Sequence, residues 1–287
     1  CIRDRYNKKQ YTGELFAEDL CVASEDVSLD GVEADPGFHG EGLFNIADSQ
    51  IKYGYKLFDK LYPASTTKVM TAYLALKYGN LDDVVTMSAT STNFNWYEST
   101  CGLSAGDSLT LYDLICGLLL QSGNDCAAAI AEHISGSQEA FAELMNTEAK
   151  QLGATGTHFV NPHGLHDENH YTTTYDLYLM FNEALKDQAF LDIISMNSYT
   201  AKVTSADGTS YTPTWQATNY YSAGEAAPPD GIHVYGGKTG TTDQAGNCVI
   251  LYEKNTAGEP YISVIMGASD KPLLYEEMNE LLDAGMK

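Results

Sequence analysis

Positively charged residues are scarce in this chain. Its 287 residues include 16 Lys and Arg against 39 Asp and Glu, which gives a formal net charge of −23. The only arginines are Arg3 and Arg5. Because recognition of nucleic acid needs a basic surface for the phosphates, this composition argues against a nucleic-acid partner.

Long apolar runs are also missing. No stretch reaches the roughly 20 consecutive apolar residues that a membrane-spanning helix requires. The chain is long enough for one large hydrophobic core, and we expect a single folded domain over residues 41–287. Residues 1–40 are polar and charged with scattered Gly and Pro, and they are predicted to form an N-terminal tail or tether.

The six cysteines lack the spacing of a metal site, since no Cys-x-x-Cys pair occurs. Cys116, Cys126 and Cys248 lie in apolar segments, where small buried thiols are expected. No metal and no cofactor are predicted, and no disulfide pairing is assigned. Cys1 fits two hypotheses, a lipidated cysteine left by removal of a signal peptide from an exported lipoprotein, or an accidental start of the chain.

The chain does contain three short motifs that follow one another in a fixed order. Ser65-Thr66-Thr67-Lys68 fits SxxK, Ser122-Gly123-Asn124 fits SxN, and Lys238-Thr239-Gly240 fits KTG. Serine acyl-transfer enzymes that handle D-alanyl peptides and β-lactams carry this series. The order and context of the three motifs make the match specific.

Chance matches to two of these patterns also occur. Residues 49–52 fit SxxK, and residues 91–93 and 195–197 fit SxN. Ser65 opens a run with apolar residues at helical spacing, so Lys68 should lie one turn away on the same face. Residues 49–52 fall between two predicted strands, where this spacing sends the side chains to opposite faces. The other two matches are predicted to be a polar loop and a helix end.

The coarse pattern predicts an α+β fold. Strands are expected near 42–57, helices from about 81 to 195, and a hairpin at 249–252 and 261–266 after the KTG strand, followed by a C-terminal helix. Strands at both ends and helices in the middle predict an antiparallel sheet flanked by helices, with an inserted all-helical subdomain at 81–195.

Over residues 40–284 the chain resembles the D-alanyl-D-alanine carboxypeptidases, which are low-molecular-mass penicillin-binding proteins. The resemblance rests on residues 62–72, 122–128, 159–165 and 236–246. It implies a penicillin-binding-protein/β-lactamase-like fold, with residues 41–287 as the catalytic domain and the active site in the cleft between sheet and helical subdomain. It also implies an extracytoplasmic enzyme that removes the terminal D-alanine from peptidoglycan stem peptides and is acylated by β-lactams.

Many family members continue into a second β-rich domain and a membrane-anchoring helix. The sequence ends at Lys287, soon after the predicted C-terminal helix, so we expect neither of them here. Any membrane tether is therefore expected at the N terminus.

The resemblance gives each motif residue a role. Ser65 is the nucleophile, and Lys68 its base once burial and the charge of Lys238 have lowered its pKa. Ser122 relays a proton to the leaving amine, while Asn124 binds the substrate backbone or steadies Lys68.

The KTG strand is expected to bind the substrate. The resemblance implies an oxyanion hole formed by the backbone N–H groups of Ser65 and Thr241. Gly240 is expected to leave room for a substrate added alongside the strand. Because the arginine that relatives use for the terminal carboxylate is missing, Lys238 and the hydroxyls of Thr239 and Thr241 should bind it.

Two alternatives share the three motifs, a class A-like β-lactamase and a penicillin-binding sensor that does not turn over. Glu168 lies where a class A β-lactamase carries its deacylating glutamate, but the following residues do not give the Glu-x-x-Leu-Asn pattern. His163, His166 and His170 belong to a familial stretch and are interpreted as structural rather than as metal ligands. Asp125 is predicted to cap the helix that begins there.

Overall fold

The structure is a computed structural model that describes residues 19–34 and 36–287. Cys1, for which lipidation is one of two hypotheses, lies outside the described residues. The elements in chain order are β1 (Gly40–Asn45), β2 (Gln50–Tyr55), α1 (Lys68–Tyr78), β3 (Val84–Thr86), β4 (Ser108–Thr110), α2 (Leu111–Cys116), α3 (Asn124–Ser135), α4 (Gln138–Gln151), α5 (Thr174–Ala184), α6 (Gln188–Ile194), β5 (Ser198–Thr200), β6 (Val203–Thr204), β7 (Ser210–Tyr211), β8 (Thr214–Gln216), α7 (Tyr220–Ala223), β9 (His233–Thr242), β10 (Gly246–Lys254), β11 (Pro260–Ala268) and α8 (Lys271–Gly285).

A five-stranded antiparallel sheet with the order β2-β1-β11-β10-β9 forms the central layer. Its three inner strands, β1, β11 and β10, are buried almost throughout, as expected for strands with packed layers on both faces. Val249 and Leu251 of β10 belong to the core under α8, together with Leu274 and Met278 of that helix. Ile250, between them, points to the opposite core. The predicted C-terminal helix and late hairpin are thus confirmed.

The second core lies among the helices on the other face of the sheet, where α1 is the central element. Val69, Ala72 and Leu74 are fully buried there. In α3, the alanines at 127–131 let neighbouring helices approach closely. This packing holds the first turn of α1 and the first turn of α3 in fixed positions at the sheet.

The stretch from 81 to 195 is not purely helical, which corrects the prediction of an all-helical insertion. The short strands β3 and β4 interrupt it and pair with each other. β4 also pairs with β6, and β6 with β7, so that two strands after α6 complete a small sheet of order β3-β4-β6-β7. Strands of two or three residues are too short to give a readable alternation of apolar and polar side chains. The overall α+β architecture, an antiparallel sheet flanked by helices, is confirmed.

The described part of the predicted tail packs on the domain. Val27 exchanges two main-chain hydrogen bonds with Gly54 of β2, at 2.9 and 2.8 Å. Cys21 is fully buried and donates its N–H to the hydroxyl of Tyr178 at 2.9 Å. Phe38 is also fully buried. Folded structure therefore begins before residue 41, and a tail or tether stays a prediction for residues 1–18.

Candidate active site

The SxxK motif begins the central helix, as predicted. Residues Ala64–Thr67 form a 3-10 turn that leads directly into α1. Lys68 Nζ lies 2.8 Å from Ser65 Oγ. The helical spacing therefore brings the amine within hydrogen-bond distance of the predicted nucleophile.

Lys68 is fully buried, and its Nζ has three hydrogen-bond partners, Ser65 Oγ at 2.8 Å, Asn124 Oδ1 at 2.8 Å and the carbonyl of His163 at 2.7 Å. Burial and, next, the charge of Lys238 hold the pKa of Lys68 well below its ordinary 10.5. A neutral amine has two N–H groups and one lone pair. If Asn124 and the His163 carbonyl take the two N–H groups, the lone pair faces the Ser65 hydroxyl, which is the arrangement of a general base.

The SxN turn forms the opposite wall of the site. Residues Gly117–Gln121 form a π-helical turn, and Ser122 follows in the left-handed region with φ +63°. Lys238 Nζ donates to Ser122 Oγ at 2.9 Å and to the carbonyl of Thr239 at 2.8 Å. Lys238 is fully buried, and this burial lowers its pKa to about 7. Each of the two motif serines, Ser65 and Ser122, therefore contacts its own buried lysine.

The structure gives a further reason for glycine at position 240, besides the predicted space for a substrate. A Cβ at this position would lie 2.8 Å from the backbone nitrogen of Ser65 and 3.0 Å from both the Pro63 carbonyl and the backbone nitrogen of Thr66. Only glycine therefore lets β9 touch the nucleophile turn. The expected space for substrate stays a prediction. This contact brings the backbone at Ser65 close to the backbone next to Thr241. The predicted oxyanion hole requires this proximity, because it uses an N–H group from each.

Two residues that the sequence did not single out hold the strand hydroxyls. Thr218 Oγ1 lies 2.7 Å from Thr239 Oγ1. Thr241 Oγ1 donates to Asn247 Oδ1 at 3.1 Å, and Asn247 Nδ2 in turn donates to the carbonyl of Ala268 at 3.1 Å. Because Asn247 takes the single hydroxyl proton of Thr241, a carboxylate bound there must displace this bond.

Asp125 does not cap α3, so that prediction is wrong. The helix starts at Asn124, and its N-cap, Gly123, has no side-chain cap bond. Both carboxylate oxygens of Asp125 accept the N–H of Cys101 at 2.9 Å, and further N–H bonds come from Cys126 and Leu103. The side chain therefore ties the 101–103 segment to the SxN turn. An aspartate in a first helical turn suits both roles, and sequence alone could not separate them.

The histidine-containing stretch supports the site through its backbone. His163 and His170 are buried, and burial lowers the pKa of His163 to about 3 and that of His170 to about 4, so both rings are neutral. His170 Nδ1 accepts the N–H of Val160 at 3.0 Å, which leaves Nε2 as the donor to Thr67 Oγ1 at 2.8 Å. The loop is structural, yet the carbonyl of His163 is a direct partner of Lys68.

The other candidate residues lie apart from this constellation. Glu168 is exposed, and within the described residues the hydrogen bonds of Lys68 include no carboxylate. Ser49 sits in a turn with φ +56°, and Lys52 pairs with Asp48 at 2.8 Å. The SxN matches at 91–93 and 195–197 lie in a loop and at the end of α6, as predicted.

A buried lysine bonded to each of two serines, on a sheet edge that touches the start of a helix, defines the serine acyl-transfer enzymes of penicillin-binding-protein/β-lactamase-like fold. The sequence profile of the S11 peptidases, the D-alanyl-D-alanine carboxypeptidases, matches residues 46–270. The chain therefore belongs to the D-alanyl-D-alanine carboxypeptidase family.

Several relatives agree with this membership. The chain is 33% identical over 232 residues to the D-alanyl-D-alanine carboxypeptidase DacA of Haemophilus influenzae, covering 78% of the chain and 55% of the relative. It is 30% identical to DacF of Bacillus subtilis, covering 82% of the chain and 58% of the relative. The chain thus spans a little over half the length of these two proteins.

Solved structures give the same picture. The DD-transpeptidase of Streptomyces K15 superimposes with a TM-score of 0.81 at 26% identity, covering 88% of this chain and 98% of that one. A putative penicillin-binding protein homologue from Mycobacterium tuberculosis gives a TM-score of 0.78 at 27% identity, covering 90% and 95%. The predicted fold family is confirmed.

Proposed function

We propose that this chain is a serine D-alanyl-D-alanine carboxypeptidase that removes the terminal D-alanine from peptidoglycan stem peptides. The observation that carries the proposal is the buried amine of Lys68, held 2.8 Å from Ser65 Oγ with its pKa lowered. Such an amine can take the hydroxyl proton at neutral pH, which an ordinary lysine cannot.

In the proposed reaction, neutral Lys68 takes the hydroxyl proton as Ser65 Oγ attacks the carbonyl of the penultimate D-alanine. The negative charge that develops on that oxygen is stabilised by the N–H groups of Ser65 and Thr241. The peptide C–N bond then breaks, and Ser122, bonded to Lys238, passes a proton to the leaving amine. Water hydrolyses the acyl-enzyme on Ser65 and restores the hydroxyl.

The outer edge of the sheet suits the substrate. Within the described part of the chain, β9 is the last strand of the sheet and pairs with β10 on one side only. A peptide lying along its free edge gains main-chain hydrogen bonds and presents its scissile carbonyl beside Ser65. In this pose the terminal carboxylate lies near Lys238, Thr239 and Thr241, in place of a bidentate arginine contact.

β-Lactams are proposed to acylate Ser65 through the same contacts. The β-lactamase alternative is not favoured, because Glu168 is exposed and no carboxylate bonds to Lys68 within the described residues. A carboxylate placed to activate water is what fast hydrolysis of that adduct would need.

An extracytoplasmic location follows from the proposed substrate, since peptidoglycan lies outside the membrane. Among residues 19–34 and 36–287, no helix is long and apolar enough to cross a bilayer. A lipid tether at Cys1 remains the hypothesis for attachment to the outer face of the membrane.

Release of D-alanine from diacetyl-Lys-D-Ala-D-Ala tests the activity, and peptide mass mapping after penicillin treatment tests the nucleophile. We expect D-alanine release and one adduct, on Ser65. Ser65→Ala should abolish both, whereas Ser49→Ala, which removes the serine of the chance SxxK match, should change neither. An adduct on another serine, or full labelling of Ser65→Ala, contradicts the assignment. Adduct formation without D-alanine release would indicate the sensor instead.

Carboxylate recognition has its own test. A hydrogen bond to a charged group contributes roughly 1.5–3 kcal/mol, so Thr239→Val should lower kcat/KM on the free-acid peptide by about one to two decades. Amidation of the peptide's C terminus should impair the wild type more than Thr239→Val. Equal cleavage of acid and amide by the wild type would favour an endopeptidase over a carboxypeptidase.

A further inference from the structure

Two thiols meet directly behind the SxN turn. A Cβ added at Gly117 would lie 2.7 Å from Cys101 Sγ and 2.8 Å from Cys126 Sγ. A Cβ added at Gly123 would lie 2.6 and 3.3 Å from the same two sulfurs. The two sulfurs and a carboxylate oxygen of Asp125 all lie within 4.8 Å of one another. Both sulfurs therefore occupy one small space next to Gly123 of the catalytic turn.

One carboxylate fixes the backbones of both cysteines. Asp125 accepts the N–H of Cys101 with each oxygen at 2.9 Å and the N–H of Cys126 at 2.9 Å. Cys126 is fully buried and Cys101 is 9% exposed. Main-chain hydrogen bonds to Asp125 therefore hold both cysteines in place, and Cys101 is the more exposed of the two.

A metal ion fits this group poorly. Tetrahedral sites for soft ions need about four free ligands. The oxygens of Asp125 are already engaged by main-chain N–H groups, which leaves two sulfurs. Burial also raises the pKa of both thiols, whereas metal binding needs thiolates.

A covalent bond between the sulfurs has none of these requirements in its final state. A disulfide is uncharged and needs no further ligand. We propose that Cys101 and Cys126 are a redox modification site. Their disulfide joins the loop between β3 and β4 to the first turn of α3.

The bond forms by exchange with an external disulfide, the class of oxidant that the proposal requires. The Cys101 thiol loses its proton and attacks one sulfur of the donor, releasing the first donor thiol. Cys126 then loses its proton and attacks Cys101 Sγ, releasing the second. Two electrons and two protons pass from the cysteines to the donor. Residues 87–107 form a loop without helix or strand between β3 and β4. When this loop opens, the external disulfide can reach Cys101.

The bond would stabilise a wall of the active site. Ser99, two residues before Cys101, accepts the N–H of Asn124 on its carbonyl at 2.8 Å and donates its hydroxyl to the Gln121 carbonyl at 3.0 Å. A disulfide limits how far this segment can open from the SxN turn. It also closes a loop between residues 101 and 126, which restricts the unfolded chain.

The test uses the full chain with Cys1→Ser, which prevents intermolecular bridges through a residue outside the described part. The protein is incubated with oxidised or reduced glutathione, denatured, alkylated and mapped by mass spectrometry. We expect a Cys101–Cys126 cross-linked peptide after oxidation, with Cys21, Cys116 and Cys248 alkylated. The Tm should rise by about 5 °C or more on oxidation.

Matched variants sharpen the result. The rise in Tm should be lost in Cys126→Ser and kept in Cys116→Ser, another fully buried cysteine. If Cys126→Ser does not fold, the cross-link map of the parent protein decides alone. Full alkylation of Cys101 and Cys126 after prolonged oxidation overturns the proposal, as does a cross-link to another cysteine or one equivalent of zinc protecting both thiols.

Discussion

Replacing Lys238 by methionine should stabilise the protein while it abolishes acylation. Burial lowers the pKa of Lys238 from 10.5 to about 7, a difference of 3.5 units. At about 1.36 kcal/mol per unit, the charged lysine costs the folded state ~5 kcal/mol below pH 7. Methionine removes that cost but loses the bonds to Ser122 and the Thr239 carbonyl, at about 1 kcal/mol each. We expect Lys238→Met to be about 2–3 kcal/mol more stable at pH 6.5.

The dependence on pH gives the sharper test. The folded pKa of Lys238 lies below the unfolded one, so between pH 7 and 10.5 the unfolded chain binds more protons. The wild type therefore gains stability as pH rises, and the advantage of Lys238→Met should shrink by about 1.4 kcal/mol per pH unit above pH 7. At this rate the advantage of about 2–3 kcal/mol disappears near pH 9, where the two proteins should be about equally stable.

Urea unfolding of both proteins at pH 6.5, 8 and 9.5 measures this difference, with Lys202→Met at an exposed position as the control. Acylation by a fluorescent penicillin should fall by about two orders of magnitude or more in Lys238→Met and stay unchanged in Lys202→Met. A stability difference that does not vary with pH, or a destabilised Lys238→Met at pH 6.5, would refute the reasoning.

Three further predictions concern other parts of the molecule. The penicilloyl adduct on Ser65 should persist, because one missing base typically costs on the order of 10²–10⁴ in rate; nitrocefin turnover at many per second would contradict this. Gly240→Ala should slow acylation by about 10²-fold while the protein remains folded, because its Cβ would lie 2.8 Å from the Ser65 nitrogen; an unchanged acylation rate would count against the contact. Burial raises the pKa of Glu253 to about 8 from 4.5, so its stabilising effect is present below pH 4.5 and is lost as pH rises to 8. Glu253→Gln should therefore gain stability over the wild type between pH 5 and 8 in urea unfolding, and a constant difference would exclude this cause.

Local patterns were enough to predict much of the catalytic core. The spacing of Ser65 and Lys68 is a property of one helical turn, and the apolar strands around KTG are a property of one hairpin. The same local arguments distinguished the SxxK match at 49–52, where Ser49 lies in a turn, from the match at 65–68, where the two side chains meet. Where a contact depends on one element alone, sequence suffices.

Contacts between distant segments were out of reach. Lys68 and the carbonyl that it bonds in His163 are 95 positions apart. Nothing in the sequence near Asn247 or Thr218 indicates that their side chains hold the strand hydroxyls. The sequence also contained no sign that Gly240 avoids a clash with the turn at Ser65. The familial stretch at 159–165 was the one available hint of the His163 carbonyl.

The free edge of β9 has a consequence for how the protein behaves at high concentration. Among the described residues this ten-residue strand pairs with β10 alone, so its outer edge offers a template on which an extended chain can pair, including another copy of this protein. The edge carries one lysine, which is buried, and several glycines, so it has none of the exposed charges that usually block such pairing. The protection comes from the whole molecule, since copies with a net charge of −23 repel one another. High salt, which screens that repulsion, is therefore the condition under which edge-to-edge association of this protein should first become visible.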